Sequence, residues 1–148
     1  MPTYNLLGGS RRSVFAYATG GYYIEDAPLT SVAKEMSGYV EMGYRAVKIK
    51  TGALGLKDEL TRIRAVSDAI GPDTLFMLDM NAPYGVEDCI AFANAVAPYN
   101  NLWLEDTQHW HLQPAEMCAS PTPPLSHLPT ANANGCVSPS ASLSIPAP

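Results

Sequence analysis

Cysteine is scarce in this chain, and charged residues are few. Its 148 residues include three cysteines without a Cys-x-x-Cys pair, so a disulfide framework or a zinc knuckle is not expected, and a reducing, cytoplasmic location is predicted. Charged residues make up 16% of the chain, and the formal net charge is −5. This acidic balance argues against partners such as nucleic acids and anionic membrane surfaces.

Long hydrophobic runs are also missing. No apolar stretch of the sequence reaches the roughly 20 residues that a membrane-spanning helix needs. Residues 1–12 contain no sustained apolar segment of the kind found in secretory signals. We therefore expect no membrane partner, and we interpret residues 1–12 as a flexible N-terminal segment.

Charge disappears altogether towards the C-terminus. Every Lys, Arg, Asp and Glu lies at or before Glu116, whereas residues 117–148 contain seven prolines and six serines. That segment has neither helical nor alternating periodicity, so residues 117–148 are predicted to form a disordered Pro/Ser-rich tail. Residues 13–116 remain as one predicted domain, long enough to build its own core.

Within that domain, strand-like and helix-like segments alternate. Strands are predicted at residues 13–18, 46–50, 74–79 and 102–104. Helices are predicted between them, with a cap at Thr30 and ends at Gly43, Gly71 and Pro98. The order β-α-β-α-β-α-β indicates an α/β fold with a parallel sheet. About four such units amount to a partial (β/α) barrel of the TIM type rather than a closed one.

Side chains capable of chemistry stand where these strands end. Lys48 and Lys50 close the second strand, Asp79 closes the third and precedes Asn81, and Glu105 follows the fourth. The separations, 29 residues from Lys50 to Asp79 and 26 from Asp79 to Glu105, suit one helix with its two loops. Because barrel enzymes hold their active sites at the C-terminal ends of the strands, we predict that these side chains converge there.

Such an arrangement suggests acid–base chemistry beside a metal ion. Lys48 and Lys50 are two residues apart on a strand and share a face, so their mutual repulsion is expected to lower the pKa of one of them. A lysine tuned in this way can act as a general base. Asp79 and Glu105 offer carboxylate oxygens for Mg²⁺, which would stabilise the enediolate formed when a proton leaves the carbon beside a carboxylate.

Purely structural interpretations of the same residues are open at this point. Lysines at a strand end are often solvent-facing, Asp79 and Asn81 are suited to capping a turn, and Glu105 can simply begin a polar loop. A histidine pair, His109 and His111, lacks neighbouring metal ligands in the sequence, and a helical Cys89 is expected to be packed rather than reactive.

The three strand-end motifs together resemble the enolase superfamily, in its mandelate racemase/muconate lactonizing enzyme group. Residues 43–50 resemble the K-x-K strand of that group, residues 78–81 its D-x-N strand, and residues 103–106 its W-x-E-[ED] strand. Residues 17–23 are similar to the first barrel strand of acid-sugar dehydratase-like members. The resemblance extends over roughly residues 13–116.

This resemblance implies a role for each motif residue. Lys50 would be the base that abstracts the proton and Lys48 its electrostatic partner near the substrate carboxylate. Asp79 and Glu105 would be Mg²⁺ ligands, and Asn81 would contact the substrate. The implied substrate is a small hydroxy acid or sugar acid, and the implied full-length relatives are homo-oligomers.

The chain departs from the group in several places. Glu105-Asp106-Thr107 stands where Glu-Glu-Pro is usual, and a substrate-capping domain, a third carboxylate ligand and a His/Asp dyad are missing from the sequence. In a shifted frame, codons for residues 129–134 permit His-Gly-Glu, which resembles the group's third ligand. We therefore expect a truncated chain whose reading frame changes near residues 117–121.

Three functional hypotheses follow from the sequence. The first is a fragment of a Mg²⁺-dependent racemase or dehydratase that removes the proton next to the carboxylate of a hydroxy acid or sugar acid. The second is a non-catalytic remnant of such an enzyme, with an incomplete site and at most weak metal binding. The third, a small α/β binding module unrelated to this group, has no motif in its favour.

Overall fold

The computed structural model describes residues 1–10, 12–99 and 101–109. Its elements in chain order are α1 (Thr3–Leu6), β1 (Ala18–Gly20), α2 (Ser31–Glu41), β2 (Ala46–Lys50), α3 (Leu56–Ile70), β3 (Leu75–Asp79), α4 (Val86–Val96) and β4 (Trp103–Glu105). A short 3-10 helix, Ala97–Tyr99, follows α4. The predicted disordered tail, the expected change of reading frame and His111 all lie outside the described residues.

A parallel sheet with the order β1-β2-β3-β4 organises the described residues. Each strand pairs in parallel with the next one along the chain, and α2, α3 and α4 make the crossover connections that parallel pairing requires. The predicted α/β parallel sheet is therefore confirmed, whereas its closure into part of a barrel stays a prediction. Among the described residues, no helix has both the length and the apolar character needed to cross a membrane.

The hydrophobic core lies between one face of the sheet and the three long helices. Alternate strand residues supply the sheet side, and one stripe of each helix supplies the other. The fully buried members include Val47, Ile49 and Leu78 from the strands and Met36, Ile63, Val66 and Phe92 from the helices. Because this face is used for packing, the opposite face of the sheet is left for polar side chains.

The first strand is the element that the sequence predicted least well. Residues 13–18 alternate aromatic and small side chains, but pairing with β2 begins only at Ala18, opposite Val47, and continues to Gly20. A Cβ on Gly20 would lie 2.2 Å from Oε1 of Glu35 on α2. Gly20 lies beyond the predicted strand end at residue 18 and belongs to β1, and a side chain there would displace the end of the Glu35 side chain.

The helix ends follow the sequence signals more closely. Thr30 occupies the predicted N-cap of α2, although its side chain makes no capping hydrogen bond. Gly43 and Gly71, which follow α2 and α3, have φ values of 97° and 75°. That left-handed conformation favours glycine and ends a helix.

Phe92 gives a direct test of this core. It is 1% exposed, and its ring centroid lies 5.5 Å from that of Tyr84. We expect Phe92→Ala to lower the free energy of unfolding by about 3–5 kcal/mol, because it removes a large buried ring and leaves a cavity. Asn94 is exposed on the same helix, so Asn94→Ala should change stability by less than about 0.5 kcal/mol. If urea denaturation showed the same loss of unfolding free energy for both variants, the packing described above would be contradicted.

Candidate functional site

The predicted site residues lie along one rung of the sheet. Lys50 on β2 pairs with Asp79 on β3, and Asp79 pairs with Glu105 on β4. Residues paired in register on parallel strands project to the same face, here the face opposite the helices. Lys48 projects to that face as well, being two residues before Lys50. The structure thus brings Lys48, Lys50, Asp79 and Glu105 together at the C-terminal edge.

Short ion pairs connect these four side chains. Nζ of Lys50 donates to Oδ2 of Asp79 at 2.5 Å, and Nζ of Lys48 donates to Oε1 of Glu105 at 2.7 Å. The Lys48 Nζ is also 3.4 Å from Oδ2 of Asp79. The Asp79 and Lys48 side chains are only 3% and 9% exposed. Lys48 is therefore buried among carboxylates, and the interpretation of this lysine as solvent-facing is wrong.

The carboxylates around Lys48 control the direction of its pKa. Burial lowers the pKa of Lys48, but the hydrogen bond and negative charge of Glu105, followed by the charge of Asp79, outweigh burial and raise it. Repulsion was expected to lower the pKa of one of the two lysines, and the pKa of Lys48 instead moves upward. The carboxylate oxygens dominate because they lie 2.7 and 3.4 Å from the Lys48 Nζ.

Asp106 adds a carboxylate that the sequence analysis did not assign to the site. Oxygens of Asp79, Glu105 and Asp106 lie within 4.8 Å of one another. Burial, then the charges of Asp79 and Glu105, raise the pKa of Asp106. The Asp106 carbonyl accepts a hydrogen bond of 2.6 Å from the Ala82 N–H, which fixes its backbone. Clustered carboxylate oxygens are the donors that Mg²⁺ prefers, so this set fits the ion.

Asn81 lies at the same edge but is exposed to solvent. Its backbone N–H donates to Oδ1 of Asp79 at 3.2 Å, and its φ is 52°. The left-handed backbone is one that asparagine adopts more readily than most residues. Asn81 therefore supports the Asp79 carboxylate, while its contact with a substrate stays a prediction.

Two aromatic side chains that the sequence analysis did not assign to the site flank the cluster. The Tyr17 and Trp103 rings meet edge to face, with centroids 5.9 Å apart. Nζ of Lys48 lies 5.4 Å from the Tyr17 ring centroid, and Nε1 of Trp103 donates to Oε2 of Glu105 at 3.2 Å. The sequence did contain a signal for Trp103. It lies two residues before Glu105 on a strand, so the two side chains project to the same face of the sheet.

The remaining sequence candidates stay outside the cluster. Cys89 is 5% exposed within α4, as expected for a packed thiol. His109 is exposed four residues after Glu105, and the carboxylate cluster among the described residues does not include it.

Comparison with known proteins places the chain in a family. The family described as "Enolase C-terminal domain-like" matches residues 31–122. D-galactarolactone cycloisomerase of Agrobacterium fabrum is 40% identical over 103 residues, which are 68% of this chain and 27% of that protein. Arabinonate dehydratase of Saccharolobus solfataricus is 39% identical over 89 residues, or 60% of this chain and 24% of that protein.

Solved structures give the same result at the level of the fold. A mandelate racemase/muconate lactonizing enzyme from a marine actinobacterium superposes with a TM-score of 0.69 and 35% identity, covering 81% of this chain and 34% of that one. A crystal structure of such an enzyme in complex with magnesium has a TM-score of 0.64 and the same identity. The chain spans about a quarter of the length of the two curated relatives. It belongs to the enolase superfamily, within the mandelate racemase/muconate lactonizing enzyme group.

Proposed function

We propose that this chain carries the general-base and metal-binding part of an enzyme that removes the proton from the carbon beside a carboxylate. The proposed substrate is a small hydroxy acid or sugar acid, and the proposed reaction class is dehydration, as in the arabinonate dehydratase relative. The observation that carries this proposal is the cluster of two lysines and three carboxylates at one edge of a parallel sheet.

Asp79, Glu105 and Asp106 would hold a Mg²⁺ ion. When bound, such an ion supplies positive charge that neutralises the negative charge appearing on the substrate carboxylate as the proton leaves. A magnesium complex of a similar enzyme supports this choice of metal. Three carboxylates are one more than the sequence alone predicted for this site.

The lysines would divide the remaining work. Lys50 is the proposed base: its Nζ would accept the substrate proton, and its side chain is 21% exposed, so a ligand can reach it from the open edge. Lys48 is more deeply buried and would hold positive charge near the substrate carboxylate. Held charges of this kind stabilise the developing anion without reorganising during the reaction.

Exchange of the α-proton with solvent tests this proposal, because it requires proton removal but not the later elimination step. The full chain would be incubated with Mg²⁺ in D₂O with a panel of aldonic and aldaric acids, and loss of the α-proton signal would be followed by NMR. We expect deuterium incorporation above the protein-free background for at least one acid. A folded, Mg²⁺-binding chain that shows no exchange with any acid would instead indicate a non-catalytic remnant.

A further inference from the structure

A second buried polar network lies next to the candidate site, around Glu59 on α3. Glu59 has no exposed surface, and its Oε1 accepts hydrogen bonds from the Gly52 N–H at 2.9 Å and the Leu54 N–H at 3.0 Å. The Tyr23 hydroxyl also donates to Oε1 of Glu59. Ala53 completes the arrangement, since its N–H donates to the Tyr23 hydroxyl at 3.2 Å. Three consecutive amides after β2 are thus held by Glu59 and Tyr23.

Arg62 extends this network to the loop after β1. It is 3% exposed, and its Nη2 donates to the Gly21 carbonyl at 2.5 Å. Its guanidinium carbon lies 3.9 Å from the Tyr23 ring centroid, and Nη1 is 3.8 Å from Oε2 of Glu59. Burial and the nearby Glu59 raise the pKa of Tyr23, so its hydroxyl remains a donor. We define Tyr23, Glu59 and Arg62 as the loop clamp.

The held segment also contacts the loop after β3. Gly52 has a φ of 98°, and a Cβ placed there would lie 2.6 Å from Cγ of Pro83 and 2.9 Å from the Met80 carbonyl oxygen. The Thr51 N–H donates to the Asp79 carbonyl at 2.8 Å. The two residues after Lys50 are therefore fixed between the loop clamp on one side and the Asp79 strand on the other.

A buried charged pair is by itself weak evidence for a stabilising role. Burying a charged pair removes both ions from water, and apolar residues of similar volume often serve stability as well or better. The loop clamp instead directs its hydrogen bonds to backbone groups of two loops, which is what positioning requires. The segment it holds begins at Gly52, two residues after Lys50, the proposed base.

We propose that Tyr23, Glu59 and Arg62 are positioning residues, which fix the loop backbone from Gly52 to Leu54 and thereby hold the Lys50 side-chain nitrogen beside Asp79. This inference rests on the proposed function, since it takes Lys50 as the base. None of the three residues contacts Lys50 itself, so each would act through the loop between β2 and α3.

Tyr23→Phe is the mildest test, because it keeps the ring over Arg62 and removes only the hydroxyl. We expect the native-state amide exchange of Ala53 to become about fivefold to tenfold faster, because its hydrogen-bond acceptor is removed. The exchange of Gly52 and Leu54 should rise as well, because Glu59 loses the Tyr23 hydroxyl that holds it. Tyr39→Phe is the matched control, since the Tyr39 hydroxyl donates to Glu35 on the exposed side of α2. Unchanged exchange in Tyr23→Phe would overturn the proposal.

The second readout is the reactivity of Lys50, which a merely structural role would not alter in the folded state. Trace acetylation of Lys50, measured by mass spectrometry relative to the exposed Lys34, should rise about threefold in Tyr23→Phe and stay constant in Tyr39→Phe. Faster loop exchange with unchanged Lys50 labelling would overturn the positioning role. Both readouts are independent of turnover, so an inactive wild-type chain would count against the proposed function and leave this test intact.

Discussion

Lys50→Met is expected to lower the rate of α-proton exchange by about 10²–10⁴-fold, the usual contribution of a positioned general base. Methionine keeps the length and apolar stem of the lysine but has no nitrogen to accept the proton. Lys48 retains its bond to Glu105 and stays within 3.4 Å of Asp79 in this variant, so the carboxylates keep a counter-charge. The exchange assay in D₂O with Mg²⁺ measures the effect directly.

Two further lysine variants separate base catalysis from a general effect of charge. Lys57 is exposed on α3, so Lys57→Met should leave the exchange rate within a factor of about two. Lys48→Met should lower kcat as well as raise KM, because Lys48 is proposed to hold positive charge beside the substrate carboxylate while negative charge develops there. Exchange in Lys50→Met at the wild-type rate would exclude Lys50 as the base.

Asp79→Asn is expected to abolish the response of the chain to Mg²⁺. Mg²⁺ retains several of its waters and gains little from a few carboxylates, so we expect binding in the millimolar range. At roughly ten times the Kd, the wild-type free energy of unfolding should increase by about 1.4 kcal/mol. Asparagine removes the charge at the centre of the cluster, and the increment should fall below about 0.3 kcal/mol.

The quantity to compare between variants is the increase in the free energy of unfolding when Mg²⁺ is added. Asp79→Asn also removes the partner of Lys50, which changes the baseline stability without bearing on the metal. Asp88→Asn is the control, because Asp88 is an exposed carboxylate in the first turn of α4. Micromolar affinity for Mg²⁺ would contradict the site described. So would an Asp79→Asn variant whose free energy of unfolding rises with Mg²⁺ as much as that of the wild type.

The central elements of the fold could be read from the sequence because local and tertiary signals agree there. The β2 strand has the predicted bounds, and α3 ends at Gly71 as predicted. The β1 strand is different, since its position depends on where β2 and α2 lie. Gly20 is a weak strand former, and only the packed structure reveals how closely the Glu35 side chain of α2 approaches it.

The candidate site could likewise be predicted from the sequence only in part. Lys50, Asp79 and Glu105 could be placed together because strand periodicity and the C-terminal edge of a parallel sheet are general rules. Asp106 could not, because its inclusion depends on a left-handed backbone, with a φ of 47°, that no pattern announces. Glu59 and Arg62 have the i,i+3 spacing of an ordinary exposed helix pair, and their burial arises only from the loops that fold over them.

The register that aligns Lys50, Asp79 and Glu105 has a consequence for how such a site can diversify. Neighbouring strands are separated by about 4.8 Å whatever the length of the loops that join them, so backbone hydrogen bonds of the sheet set the spacing of the reactive groups. Loops at the strand ends could therefore lengthen, shorten or change sequence while the spacing of Lys50, Asp79 and Glu105 stays the same. A one-residue insertion within β3 has the opposite effect, because it would turn Asp79 towards the helices. In this architecture, changes in the loops that would contact a substrate need not alter the spacing of the side chains on the strands.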